Sequence, residues 1–95
     1  MSDNEIYGVI GRRLRTRRLL LGMTQRTVGL HCGLTFQQIQ KYEAGSTAMP
    51  VARLIALAAA LKAPVSDFIV GVQESAPVSD GANRRPPTDG VEAAA

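Results

Sequence analysis

The amino-acid sequence predicts an all-α fold of five short helices, and three observations carry that expectation. The 95 residues are 45% apolar but only 4% aromatic, so a core has to be built from Leu, Ile, Val and Ala, which suits packed helices better than a sheet. Apolar residues recur at intervals of three and four along most of the chain, the spacing of one helix face. Gly22, Gly33, Gly45 and Pro64 punctuate these stretches where helices would stop. A chain of this length accommodates one small domain.

The first helix is expected from about Tyr7 to Leu21, with Ile6, Ile10, Leu14 and Leu21 on one stripe and Gly22 as its stop. Residues 1–5 would form an arm ahead of it. Gly8 and Gly11 weaken its beginning, since glycine costs about 1 kcal/mol relative to alanine inside a helix. Thr24 is a good cap for a second helix, which turns Val28 and Cys32 inward and breaks at Gly33. The third helix has the most complete local signature. Thr35 and Gln38 form a T-x-x-Q capping box, and Leu34 and Ile39 occupy the positions of a hydrophobic staple. That helix starts at Phe36 and ends at Ala44-Gly45.

After the loop Ser46-Thr47-Ala48-Met49, Pro50 suits the first position of a fourth helix reaching Leu61. Its inward stripe would be Val51, Leu54, Leu57, Ala58 and Leu61. Pro64 interrupts, and Ser66 can cap a short fifth helix through Val70. The domain thus covers residues 6–72. Residues 73–95 hold almost no large apolar side chain, cannot offset their ordering entropy, and are expected to be disordered.

The net charge of +3 is unevenly placed. Between Ile6 and Val72, nine Arg and Lys face only Glu43 and Asp67, for +7, while each end carries −2. A basic domain between weakly acidic ends is the electrostatic footprint of a protein that meets polyphosphate, because such binding displaces condensed counterions.

The segment from Thr24 to Glu43 reads as cap, helix, glycine-containing turn, second cap and second helix, the punctuation of a helix-turn-helix. Gly29 is small where the two helices must approach, Gly33 allows the turn, and Val28, Leu34 and Ile39 close the wedge. Ile39 and Tyr42 point inward, which leaves Phe36, Gln37, Gln40 and Lys41 on the outer side. Amides and one cation suit base readout: glutamine pairs twice with adenine and lysine donates to guanine.

The stretch "GMTQRTVGLHCGLTFQQIQKYEAG", preceded by "GRRLRTRRLLL" and followed by "RLIALAAALKAPVSDFI", resembles the Cro/C1-type (XRE) domain of phage repressors and bacterial regulators. Its "GLTFQQIQKYE" core is similar to a subgroup common in alphaproteobacteria. The resemblance spans about residues 6–71. It implies a five-helix lambda-repressor-like fold that binds double-stranded operator DNA, usually as a dimer, in a transcriptional regulator read as a repressor. Position by position, it implies that Gln25 clasps a backbone phosphate, that Phe36, Gln37 and Lys41 read bases, and that Gln40 lies beside them near the backbone. It also implies a partly buried ion pair between Arg18 and Glu43. Thr24, Arg26, Thr35, Gln38, Ser46 and Thr47 complete the expected DNA-binding set. Three places depart from the pattern: the loop Ser46-Thr47-Ala48-Met49 stands where many relatives carry basic residues, Arg17 where they often carry an apolar one, and Cys32 where they carry a larger aliphatic.

Val65, Phe68, Ile69, Val70 and Val72 place five apolar residues in one short segment, more than a short helix can turn inward. Leftover apolar surface marks an association site, so a homodimer through the fifth-helix region is expected. Cys32, the only cysteine, reads as a small core residue in preference to a redox sensor, and its isolation suits a cytosolic protein, which as a DNA binder is expected to be nucleoid-associated. His31 has no second ligand at metal spacing. One histidine and two acids in the folded region assemble no nucleophile, base and orienting acid, so neither an enzyme nor a cofactor or small-molecule site is expected. The apolar run Leu54 to Leu61 is far shorter than the ~20 residues of a membrane span. The alternative function is an antitoxin that covers a toxin with its tail, although that tail lacks spaced apolar anchors.

Overall fold

Five helices are present among residues 1–72, the part of the chain that the computed structural model describes: α1 (Asp3–Leu20), α2 (Gln25–Cys32), α3 (Phe36–Ala44), α4 (Val51–Ala60) and α5 (Ser66–Ile69). No strand occurs among these residues. The disorder expected of residues 73–95 lies outside the described residues.

The first helix starts at Asp3, ahead of the expected Tyr7. The Glu5 N–H donates to Ser2 Oγ at 3.2 Å and the Ser2 N–H donates to the Glu5 carboxylate at 2.7 Å. This reciprocal capping box satisfies two donors that helix starts otherwise leave open, so residues 3–5 form a first turn in place of an arm. The same bonds from Ser2 hold the Glu5 carboxyl below its ordinary pKa.

Gly8 and Gly11 cost α1 less than sequence alone suggests, because they lie where α1 meets the end of α3. A Cβ on Gly11 would collide with the Tyr42 carbonyl oxygen and lie 2.5 Å from that of Glu43. At Gly45, whose φ is +70°, a Cβ would fall 2.7 Å from Gly8 Cα. Backbone therefore packs directly on backbone along this seam.

Ile10, Leu14, Val28, Ile39, Tyr42, Met49, Leu54, Leu57, Ala58, Leu61 and Phe68 form the core, with Ile6, Cys32, Leu34 and Val65 packed partly buried against it. Four expectations are corrected here. Leu21 is exposed, because α1 ends before it and the inward position one turn back belongs to Arg18. Val51 is 71% exposed at the start of α4, whose buried stripe begins only at Leu54. Pro50 is the cap residue, in extended geometry, and not the first helical position. Ser66 lies inside α5 and makes no capping bond; Val65 precedes the helix, which ends at Ile69.

Arg17 occupies its unusual position for a reason visible in the fold. Its Nε and Nη2 donate to the carbonyls of Leu61 and Lys62, at 2.9 and 3.0 Å, which are left over where α4 ends. Arg13 Nη1 donates in the same way to Val70 O at 2.6 Å, just past α5. A cation at a helix C-terminus answers both the orphan carbonyls and the negative end of the dipole. Among the described residues, no helix is long and apolar enough to cross a membrane.

Candidate nucleic-acid interface

The α2–α3 unit is held by its own punctuation. Thr24 Oγ1 accepts from Thr27 N at 3.0 Å, and Gly33 takes the left-handed conformation that ends α2. Thr35 Oγ1 accepts from Gln38 N at 3.2 Å while Thr35 N donates to the Gln38 amide oxygen at 3.0 Å. A Cβ on Gly29 would lie 2.5 Å from Leu34 O, so the close approach of helix and turn requires glycine. Val28 and Ile39 fill the wedge between the helices, both fully buried.

This packing turns Gln37, Gln40 and Lys41 outward. All three are exposed, and among the described residues their side chains make no hydrogen bond or ion pair. Phe36, half-buried at the start of α3, lies under the Arg26 guanidinium, 4.6 Å from the ring centroid. This stacking holds a cation from α2 against the first residue of α3.

Behind the face lies the ion pair. Arg18 Nε and Nη2 donate to the two oxygens of Glu43, at 2.6 and 3.0 Å, and Arg18 Nη1 donates to Met23 O at 2.9 Å. Both residues are 7% exposed. The Gln25 amide adds a bond to Glu43 Oε1 at 3.1 Å, so the carboxylate fixes the residue at the head of α2 as well as tying α1 to α3.

The expected set therefore divides by what its side chains already do. Thr24, Thr35 and Gln38 are engaged in capping, and Ser46 Oγ donates to Lys41 O at 3.3 Å. Gln37, Gln40, Lys41, Arg26 and Thr47 are exposed around them. Cys32 packs partly buried with Sγ 3.6 Å from Ala56 O, and burial pushes its thiol pKa up, away from the thiolate a redox sensor needs. One basic residue escaped the sequence reading: Arg15 lines a cleft of about 270 Å³ with Gln25, Gln40, Glu43 and Ala44. Its position becomes legible only once Gly11, one turn earlier on α1, is known to press on α3.

Comparison with known proteins gives this arrangement relatives. A helix-turn-helix family model matches residues 14–68. An uncharacterised HTH-type transcriptional regulator of Sinorhizobium medicae is 44% identical over 80 residues, covering 84% of this chain and 55% of that protein. An uncharacterised transcriptional regulator in the ATPase CF(0) region of Rhodospirillum rubrum is 39% identical over 72 residues, covering 76% of this chain and 67% of that one. The chain thus spans about half the length of the first of these relatives. Among solved structures, the P22 c2 repressor in complex with a synthetic operator superposes with a TM-score of 0.62 at 28% identity, covering 66% of this chain and 96% of that one. The restriction-modification controller protein C.AhdI of Aeromonas hydrophila gives a TM-score of 0.63 at 26% identity, over 65% and 94%. The chain belongs to the helix-turn-helix family of Cro/C1 (XRE) type, with the lambda-repressor-like five-helix fold.

Proposed function

We propose that this chain represses transcription by placing α3 in the major groove of operator DNA, with Gln37 and Lys41 reading base edges and Gln25 positioned toward a backbone phosphate. The observation that carries this reading is the outer face of α3: two amides and an ammonium, exposed and uncommitted, on a helix whose other face is locked into the core. Base edges in the major groove present acceptors and donors that these groups can pair with. The similarity to a repressor solved with its operator supports the same reading.

Fluorescence anisotropy on a duplex selected from a random pool tests it. Affinity falls with salt, each neutralised phosphate adding about −0.9 to the log–log slope. Gln37→Ala and Lys41→Ala each reduce discrimination between selected and random duplex by about 1–3 kcal/mol, while Gln25→Ala weakens both duplexes alike. A slope near zero, or equal losses on both duplexes for all three variants, overturns the assignment.

The reading extends to a homodimer, since one α3 offers too few base-reading side chains to select a site in a genome. Ile69 and Val70, 41% and 66% exposed, would form its centre with Val65 and Val72 at the edge. Phe68, expected among them, is only 2% exposed and belongs to the core. Ile69→Asp is expected to shift the chain to monomer in sedimentation at micromolar concentration and to weaken binding to two half-sites one helical turn, ~34 Å, apart. A dimer insensitive to this change places the interface elsewhere.

A further inference from the structure

We propose that the groove between α1 and α5 binds a small organic anion, an apolar molecule that carries a single carboxylate. The groove holds about 450 Å³, within the range of small-molecule sites. Arg12, Thr16 and Leu20 follow one another at helical spacing along its α1 wall, and Val9, Ala63 and Phe68 give it an apolar floor. No sequence pattern announces it, because one wall comes from α1 and the other from the far end of the domain. It lies on the flank of α1 that meets the ends of α4 and α5, away from the Arg15 flank that adjoins α3. An occupant therefore bridges α1 and α5 without covering the outward face of α3.

Charge and lining together choose the occupant. Three guanidinium groups line the groove, those of Arg12, Arg13 and Arg17, against the one carboxylate of Asp67, which leaves a net +2. Arg13 donates one bond to Val70 O, and Arg17 donates two, to Leu61 O and Lys62 O. Each guanidinium carries further N–H donors beyond these. Arg12 is exposed, and among the described residues it makes no hydrogen bond or ion pair. The Thr16 hydroxyl, one turn further along, adds a neutral donor. A carboxylate meets the planar fork of an arginine with both oxygens at once, while an apolar body covers Ala63 and Phe68. An inorganic anion would leave that floor wet, and a neutral hydrocarbon would leave Arg12 unanswered. A second carboxylate would face Asp67. The α5 wall is four residues long, about 6 Å of helix at about 1.5 Å per residue, too short to seat a helix of a partner protein and long enough for a small molecule.

Decanoate below its micelle concentration is the probe, with decanol and decyltrimethylammonium as neutral and cationic controls of the same apolar length. In backbone amide NMR spectra of the whole chain, decanoate is expected to shift signals of α1 and α5 saturably, and the two controls are not. Decanoate also raises the melting temperature, as a ligand of the folded state does. Arg12→Gln weakens decanoate binding by about tenfold, as for loss of a hydrogen bond to a charged group. Thr16→Glu, which sets a carboxylate among the guanidinium groups, abolishes it. Arg53→Gln, a one-charge control on α4, leaves it as in the parent. Arg12, Thr16 and Arg53 are all exposed, so the variants keep the fold, which circular dichroism checks. Shifts of equal size with decanol or the ammonium probe show apolar adsorption and overturn the proposal, as does a parent that ignores decanoate or an Arg12→Gln that binds it undiminished. A groove that ignores decanoate while Thr16→Glu abolishes self-association belongs to a second copy of the chain, which overturns the proposal equally.

Discussion

Glu43→Ala is expected to destabilise the fold by about 3–5 kcal/mol, the cost of breaking a buried ion pair by removing one partner. The loss is not the worth of the pair in isolation. It is the penalty of leaving the Arg18 guanidinium, 7% exposed, with only Met23 O as an acceptor. Glu43→Gln, which keeps an acceptor and loses the charge, is expected to cost less. Urea denaturation monitored by helix content reads both, and a midpoint for Glu43→Ala equal to that of the parent would show that water reaches Arg18 in place of the carboxylate. DNA affinity measured where the variant remains folded should fall as well, because Gln25 loses the bond that orients it.

Phe68→Ala is expected to cost a comparable ~3–5 kcal/mol, the range for deleting a buried aromatic ring. The four residues of α5 contribute one buried side chain, this ring, so its removal frees the helix and with it the Arg13 bond to Val70. Small domains have roughly 5–15 kcal/mol in total, so the variant loses much of its margin. The measurement also separates core from interface. A loss independent of protein concentration is the outcome for a core ring, whereas a loss that shrinks as concentration rises would assign the ring to the dimer contact.

Much of this was legible in the sequence, and the parts that were not share a cause. The cap at Thr24, the capping box of Thr35 and Gln38, and the stop at Gly33 were readable because each is a local contract between neighbours in the chain. The capping box of Ser2 and Glu5 was equally local, yet the glycines that follow argued for a later start. Their reason lies in α3, more than thirty residues away, which no local rule sees. Leu21 and Val51 were misplaced for the same reason, whereas Phe68 was assigned to an interface because the depth of the core beneath α5 is not a local property. Helix periodicity assigns a face, but where a helix actually ends decides whether its last or first apolar residue reaches the core. Arg17 stood out as a departure from the pattern because its partners, the carbonyls beyond α4, belong to a different element. The outward position of Gln37, Gln40 and Lys41 was readable from helix periodicity, whereas the cleft position of Arg15 required knowing which side of α1 adjoins α3.

The seam of Gly8, Gly11 and Gly45 separates two problems that proteins usually solve with the same residues. Because α3 meets α1 through main-chain atoms beside the Arg18–Glu43 pair, the angle at which it is presented is held by contacts that substitutions on its outer face leave in place. On the proposed reading, changes at Gln37, Gln40 or Lys41 would alter what is recognised and leave this backbone contact as it is. If α3 reads operators as proposed, a lineage carrying this seam would explore new ones one exposed side chain at a time, while Gly11 and Gly45 have almost no freedom to vary.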